Sequence, residues 1–411
     1  MNIYVRGLLV AAAALTATSA IARDDLKLER VTMMMRHGVR PPTSDTPVPA
    51  PYSRDAWPTW DVDYGLLTEH GAKGARLLGA ADRAYFVRHG LLPRTGCPAD
   101  GVIAITASGK QRAQRTAHEW SYTVAPGCKL TVVAPADGSD DVIFHPMDQN
   151  PASFDGKRAY AEALALAPGG NIDNELKAQD SAFQLLNKAL GCREAACDIR
   201  KMPTVFKEKE HDRPDLKGPI DVGSTASQTF LLEYLDGKPM KDVAWGRITR
   251  AEIEQMLVFH PVKFRYSNRS AYMASVTASL LMKNMRDAMN ATGPKNRVTL
   301  FAGHDTNIAD IAGFLDLRWK VPSYPADDVP PGSAVGFELW KNAKGARFVR
   351  AFYRAQTMDQ LRNLTPIDGK VGPYRAYIDI PGCGTAKVAT SCTLARFNAL
   401  VDKRLKIGAA S

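Results

Sequence analysis

The chain has 411 residues, with 53 Lys and Arg against 43 Asp and Glu for a net charge of +10, and 45% of its residues are hydrophobic. That length admits a large core and more than one domain, and the positive balance favours anionic substrates or surfaces in a general way. It does not point to nucleic acid, because basic residues are scattered among acids, as in Lys207-Glu-Lys-Glu-His-Asp-Arg213, and no basic cluster is interleaved with aromatics.

In chain order, residues 1–22 have the layout of a secretory signal peptide: Arg6, an apolar Ala-rich run from Gly7, and small residues up to Ala22, where cleavage is expected. The run falls short of the ~20 residues of a membrane span, and no later stretch reaches that length. The mature chain is therefore expected in the periplasm or outside the cell, without membrane attachment. Residues 28–35 form a short, mostly apolar run that predicts a buried strand, with Arg36 opening the next loop. Helices are predicted over 68–88, 110–122 and 268–289. A second strand over 298–302 is followed by a turn, Gly303-His-Asp-Thr-Asn307, and a helix over 308–315, and a Pro-rich connector (327–333) precedes a strand over 334–340.

Residues 151–262 read differently, with helical patterning at 161–166, 182–190 and 229–235 between loops rich in Gly, Pro and charge. The expected architecture is α/β: a mixed sheet with helices on both faces, built from residues 23–150 and 263–411, carrying a smaller, mainly helical insertion over 151–262. Ligands of such sheets collect beyond the C-terminal ends of the strands. The six cysteines, Cys97, Cys128, Cys192, Cys197, Cys383 and Cys392, are even in number in a chain read as exported, so disulfides are expected. Six cysteines allow fifteen pairings, and spacing alone does not choose among them.

The chemistry concentrates at two strand ends. Arg36-His-Gly-Val-Arg-Pro-Pro42 places two guanidinium groups around an imidazole. Arginine offers a planar fork of donors that suits phosphate oxygens. The flanking charges also disfavour protonation of His37, keeping it nucleophilic below neutral pH. Gly38 permits close backbone approach, and Pro41 and Pro42 stiffen the loop. At the other strand end Asp305 can supply the proton that an alkoxide leaving group needs, and His304 can bind or orient a phosphate. Phosphoryl transfer depends mainly on positioning and charge, so this set suffices without metal, and the eight histidines show no HExxH or closely spaced ligand pair. No cofactor and no protein partner are implied.

Three look-alikes are set aside. Arg88-His89-Gly90 lacks a second arginine and closes a predicted helix. His211-Asp212 falls in a charged run without a leading strand and is read as a solvated loop. The stretch 218–225 imitates a phosphate-binding loop without its lysine and is read as a turn entering a helix.

The two motifs together, Arg36-His-Gly-Val-Arg-Pro41 and Gly303-His-Asp-Thr-Asn307, resemble the histidine acid phosphatase family, in particular its bacterial periplasmic phytase and glucose-1-phosphatase branch. The likeness spans nearly the whole mature chain and includes Trp57-Pro-Thr-Trp60 and Trp245-Gly-Arg-Ile248. It implies a phosphoglycerate mutase-like fold, His37 as phosphohistidine nucleophile, Asp305 as proton donor, and Arg36, Arg40 and His304 as phosphate ligands. It implies a third arginine, matched to Arg112 with Arg115 as rival, and Thr43 as a substrate contact. It also implies disulfides Cys97 to Cys128, Cys192 to Cys197 and Cys383 to Cys392. The chain departs from the phytases at Ser44, where a lysine is usual, and at Ser108, where an acid is usual, so the expected substrates are small phosphate monoesters with phytate among them. The competing readings are a phosphomutase of the same superfamily and a non-catalytic phosphate-ester binding protein.

Overall fold

The computed structural model describes residues 26–149, 153–367, 372–383 and 390–409. The expected signal peptide, 1–22, lies outside them. The main sheet contains β1 (Lys27–Arg36), β2 (Ile103–Ala107), β3 (Val132–Val133), β6 (Val298–Gly303), β7 (Ala334–Lys341), β8 (Arg347–Ala355), β9 (Tyr374–Ile378) and β10 (Cys392–Thr393), while β4 (Val205–Lys209) and β5 (Asp212–Lys217) form a separate hairpin. Along the sheet the order is β10-β8-β7-β1-β6-β2-β3, with β9 also on β8. The β1, β6, β2 and β3 pairings are parallel, whereas β7, β8, β9 and β10 are antiparallel to their neighbours. This is the mixed sheet expected from the sequence.

Alternate side chains of β1 enter different cores, as the two-residue period of a strand requires. Val31, Met33 and Met35 pack with Leu78, Phe86, Ala117 and Trp120 of α1 (Glu69–Arg88) and α2 (Gln111–Val124). Met34 joins the larger cluster beneath α10 (Ser279–Asn290), α11 (Asp305–Leu315) and α13 (Leu394–Ala409). Burial on both faces explains why β1 is a continuous apolar run in the sequence.

Between α2 and α10 come α3 (Gly156–Leu164), α4 (Ile172–Ala178), α5 (Asp180–Ala189), α6 (Pro219–Leu235), α7 (Arg250–Met256), α8 (Phe259–Ser267) and α9 (Ala271–Thr277), and a short α12 (Met358–Arg362) follows β8. Phe183, Phe230 and Phe259 belong to the same apolar cluster as Met34 and Phe301, so the core runs unbroken from the sheet into the helical region.

Four local expectations differ from what is observed. Arg36 is the last residue of β1, not the first of a loop, and pairs with Gly303. The helix predicted over 268–289 is two helices broken at Ala278. The Thr277 hydroxyl donates to the Met273 carbonyl, a side-chain bond that competes with regular helix. α11 begins at Asp305, three residues early, because Asn307 Oδ1 accepts the His304 N–H at 2.9 Å and closes the first turn. The charged run at 205–217 is the β4–β5 hairpin, with His211 in its turn and Asp212 opening β5.

The three disulfides join Cys97 to Cys128, Cys192 to Cys197 and Cys383 to Cys392. Among the described residues no helix is long and apolar enough to cross a membrane.

Candidate active site

Parallel register assembles the site. Arg36 pairs with Gly303 across β1 and β6, and Ala107 pairs with Ala302 across β2 and β6, so three adjacent strands end at one level. The next residues, His37, His304 and Ser108, consequently emerge together at the C-terminal edge. Two cross-strand bonds continue the ladder past the strand ends: His37 N–H to the Gly303 carbonyl and Ser108 N–H to the Ala302 carbonyl, both 2.8 Å.

The loop after His37 is clamped against the helices. Gly38 N–H donates to Thr116 Oγ1 of α2 at 3.0 Å, and a Cβ on Gly38 would meet the Gly71 carbonyl oxygen of α1 at 2.9 Å and Leu67 Cδ1 at 3.0 Å. His37 itself is 1% exposed. Its Nδ1 lies 2.8 Å from the Gly38 carbonyl oxygen, which can only accept, so Nδ1 carries the ring proton and Nε2 keeps its lone pair. Burial, with the charges of Arg40, Arg112 and Arg36, holds the His37 pKa well below the ordinary histidine value. Burial and the neighbouring Arg112 and Arg36 also lower Arg40 to about 9.

Asp305 stands at the first position of α11, where a carboxylate complements the helix dipole. Its Oδ2 is 2.7 Å from Arg36 Nη2 and 3.7 Å from His260 Nε2. Burial pushes its pKa up, but Arg36 and the His260 contact outweigh burial and hold it well below the usual carboxylate range. Arg36 is fixed in turn by Gln228 Oε1 at 3.2 Å and by the Val329 carbonyl, and His260 Nδ1 by Asp328 Oδ1 at 2.6 Å. Burial depresses the His260 pKa, yet the bonds to Asp305 and Asp328 prevail and raise it.

A cavity of about 410 Å³ is lined by His37, Arg40, Arg112, His304 and Asp305. It adjoins a cleft of about 520 Å³ that contains Arg36, Arg40, Asp305 and His260 and reaches Thr43 and Ser44, both exposed, at its rim. Arg112 Nε is buried without a protein hydrogen-bond partner. Arg115 instead bonds Glu69, donates to the Leu67 carbonyl at 3.2 Å, and does not line this cavity. His304 Nε2 is 3.0 Å from Ser108 Oγ, and its ring centroid is 5.6 Å from that of His37. All six proposed reaction and phosphate-binding side chains, Arg36, His37, Arg40, Arg112, His304 and Asp305, thus face one continuous space. Of the look-alikes, His89 caps α1 and packs on Tyr85 and Trp340, and Gly218 precedes α6 with Pro219 at its first turn.

Residues 27–167 and 256–354 match the family model described as histidine phosphatase superfamily (branch 2). The chain is 31% identical to phytase AppA of Escherichia coli (strain K12) over 95% of each sequence. The chain belongs to the histidine acid phosphatase family. It is also similar to a glucose-1-phosphatase of Salmonella typhimurium, 28% identical over 97% of this chain and 98% of the relative. The solved phytase structure from Citrobacter braakii superposes with a TM-score of 0.86 at 30% identity, covering 92% of this chain and 98% of that one.

Several groups around this phosphatase's site were not singled out from the sequence. Gln228 sits inside the apolar helix α6, where a buried polar side chain was a usable signal. His260 lies on α8, and no local sequence pattern connects it to Asp305. Asp212 and Arg213 of the hairpin line both the cavity and the cleft, although their charged surroundings read as solvated loop. Asp141 and His145 approach Ser108 from an irregular segment with no motif.

Proposed function

We propose that this phosphatase hydrolyses phosphate monoesters through a phosphohistidine on His37 Nε2. The observation that carries the reading is the bond from His37 Nδ1–H to the Gly38 carbonyl, which leaves Nε2 unprotonated, its lone pair 3.5 Å from Arg40 Nε and within the field of Arg36 and Arg112. Nε2 attacks phosphorus, the P–O ester bond breaks, and the departing oxygen takes a proton from Asp305. Water then attacks the phosphohistidine and gives a proton to the Asp305 carboxylate, releasing inorganic phosphate and restoring His37. The arginines and His304 hold the phosphoryl oxygens and balance charge as it redistributes.

Asp305 has to be protonated for the first step, although Arg36 and His260 keep it ionised in the free site. A bound phosphate group reverses that bias, because it draws on Arg36 and sets a negative charge beside the carboxyl. The donor therefore becomes competent in the complex.

The charge pattern of the cleft supports a reading of the substrate class. Lys209, Arg213, Lys217 and Lys263 line it with Asp212, Asp215 and Asp221. Lys209 is 3.2 Å from Asp212, Lys217 is 3.6 Å from Asp221, and Arg213 is 3.5 Å from Asp310. Carboxylates offset much of the positive charge, and Ser44 at the rim adds none. This supports broad use of small monoesters, with phytate accepted but not strongly preferred. In this reading residues 23–150 and 263–411 supply the reacting groups, residues 151–262 supply the leaving-group wall with Gln228 and His260, and the enzyme acts after export as a small-molecule hydrolase.

Release of inorganic phosphate from p-nitrophenyl phosphate in excess EDTA, lost in His37→Ala, is the expected result. Rapid-quench labelling should give an acid-labile, nitrogen-bound phosphate. Label on an oxygen side chain, or an isomerised ester without free phosphate, would overturn the mechanism.

A further inference from the structure

Ser108 is fully buried and has one hydroxyl proton to place. Its Oγ lies 2.7 Å from Asp141 Oδ2 and 3.0 Å from His304 Nε2. An ionised carboxylate can only accept, so the hydroxyl donates to Asp141, which also takes the Gly109 N–H at 3.0 Å. Toward His304 the serine oxygen must then accept, and His304 Nε2 carries a proton. His145 Nε2, 3.5 Å from the same Oγ, flanks the chain, and the His145 and His304 ring centroids are 4.7 Å apart.

We infer that Asp141 is a positioning residue: through the Ser108 hydroxyl it fixes the proton of His304 on Nε2 and the attitude of that ring toward the phosphate cavity. A serine alone could donate or accept, leaving His304 free to change tautomer or turn. The carboxylate removes that freedom and supplies a negative charge behind the wall of the cavity that His304 forms. The charged and titratable groups that line the cavity with His304 are His37 and Arg40 from the segment after β1, Arg112 from α2, His145 and Asp148 from the segment that carries Asp141, Asp212 and Arg213 from the β4–β5 hairpin, and Asp305 from α11. Asp141 reaches it only through the serine.

The inference rests on the proposed function, and its test separates the two. Inorganic phosphate binding, read by calorimetry and as competitive inhibition of p-nitrophenyl phosphate hydrolysis, needs no assumption about the covalent intermediate. Asp141→Asn and Ser108→Ala should each weaken phosphate about ten-fold, raise KM in parallel, change kcat far less, and shift the pH dependence of phosphate binding. Ser108→Asp alone places two carboxylates together and should also bind poorly. The double variant Ser108→Asp/Asp141→Asn puts one carboxylate directly against His304 Nε2 and should recover most of the lost affinity and the wild-type pH dependence. Unchanged phosphate affinity in Asp141→Asn, or a double variant no better than the single ones, would overturn the inference even if the enzyme proceeds through phosphohistidine. Asp141 is not fully buried, so its Asn variant carries the test if the Ser108 variants fold poorly.

Discussion

Asp305→Asn separates proton donation from charge and from architecture. The amide oxygen can still accept the Thr306 N–H that Asp305 Oδ1 now accepts at 2.9 Å, so the start of α11 should persist. Arg36 loses its 2.7 Å carboxylate partner but keeps Gln228 and the Val329 carbonyl. The stability loss should therefore fall below the ~3–5 kcal/mol of a fully buried charge left alone. Chemistry should suffer more. General-acid assistance is worth roughly 10²- to 10⁴-fold, and an alkoxide needs nearly all of it whereas p-nitrophenolate needs little. Sugar phosphate turnover should thus fall by about three orders of magnitude, and p-nitrophenyl phosphate turnover by about ten-fold or less. Inorganic phosphate should bind more tightly, since the carboxylate that opposes an incoming dianion is gone and Arg36 is released. Steady-state kinetics on both esters, with phosphate inhibition constants, make the comparison. Equal losses on the two esters together with weaker phosphate binding would show that Asp305 only holds the site in shape.

Further outcomes concern pH and packing. Because His37 and Asp305 both have lowered pKa values in the free site, the kcat/KM profile should peak in acid. Bound phosphate raises both, so the kcat profile should lie at higher pH, and a kcat optimum on the acid side of kcat/KM would refute the scheme. Gly38→Ala forces a Cβ against the Gly71 carbonyl oxygen at 2.9 Å; thermal unfolding should show a loss of about 1–3 kcal/mol, with kcat reduced through displacement of His37. Glu233, buried and accepting the Ala244 N–H at 2.9 Å, is pushed up to about 8 by burial. Its folded pKa lies above its unfolded one, so its contribution is complete in acid and is lost as pH rises toward 8. Relative to Glu233→Gln, the wild type should lose about 1.4 kcal/mol per pH unit between roughly pH 5 and 8, read from denaturant titrations at each pH. A pH-independent difference would refute it. Comparing kcat/KM for phytate, glucose 1-phosphate and p-nitrophenyl phosphate tests the cleft; a large phytate preference would show that Lys209, Lys217 and Lys263 act free of their carboxylates.

Much of this was readable in the chain because local signals and fold agree. The apolar runs of β1 and β6 report strands buried on both faces, and each ends on a motif whose residue types already suggest phosphoryl chemistry. Arg112 could be matched only through resemblance, since on an amphipathic helix an arginine in a cavity and one at the surface look alike. The hairpin escaped because its large apolar side chains, Val205, Phe206 and Leu216, do not alternate with polar ones at a period of two, Val205 and Phe206 being adjacent and the rest of both strands mostly charged. His260, Gln228 and Asp141 escaped for a different reason: each contributes through a partner far away in sequence, and nothing in its own neighbourhood encodes that partner.

The position of β1 also bears on the order in which the molecule can be made. It is the sheet's central strand and one of the first elements of the chain, yet both its neighbours, β6 and β7, begin only at Val298 and Ala334. A nascent chain that has emerged as far as α10 holds His37 but has no strand to set beside it. The nucleophile is therefore synthesised long before its surroundings can exist, and nearly all of the chain must be present before the sheet, and the pocket at its edge, can close.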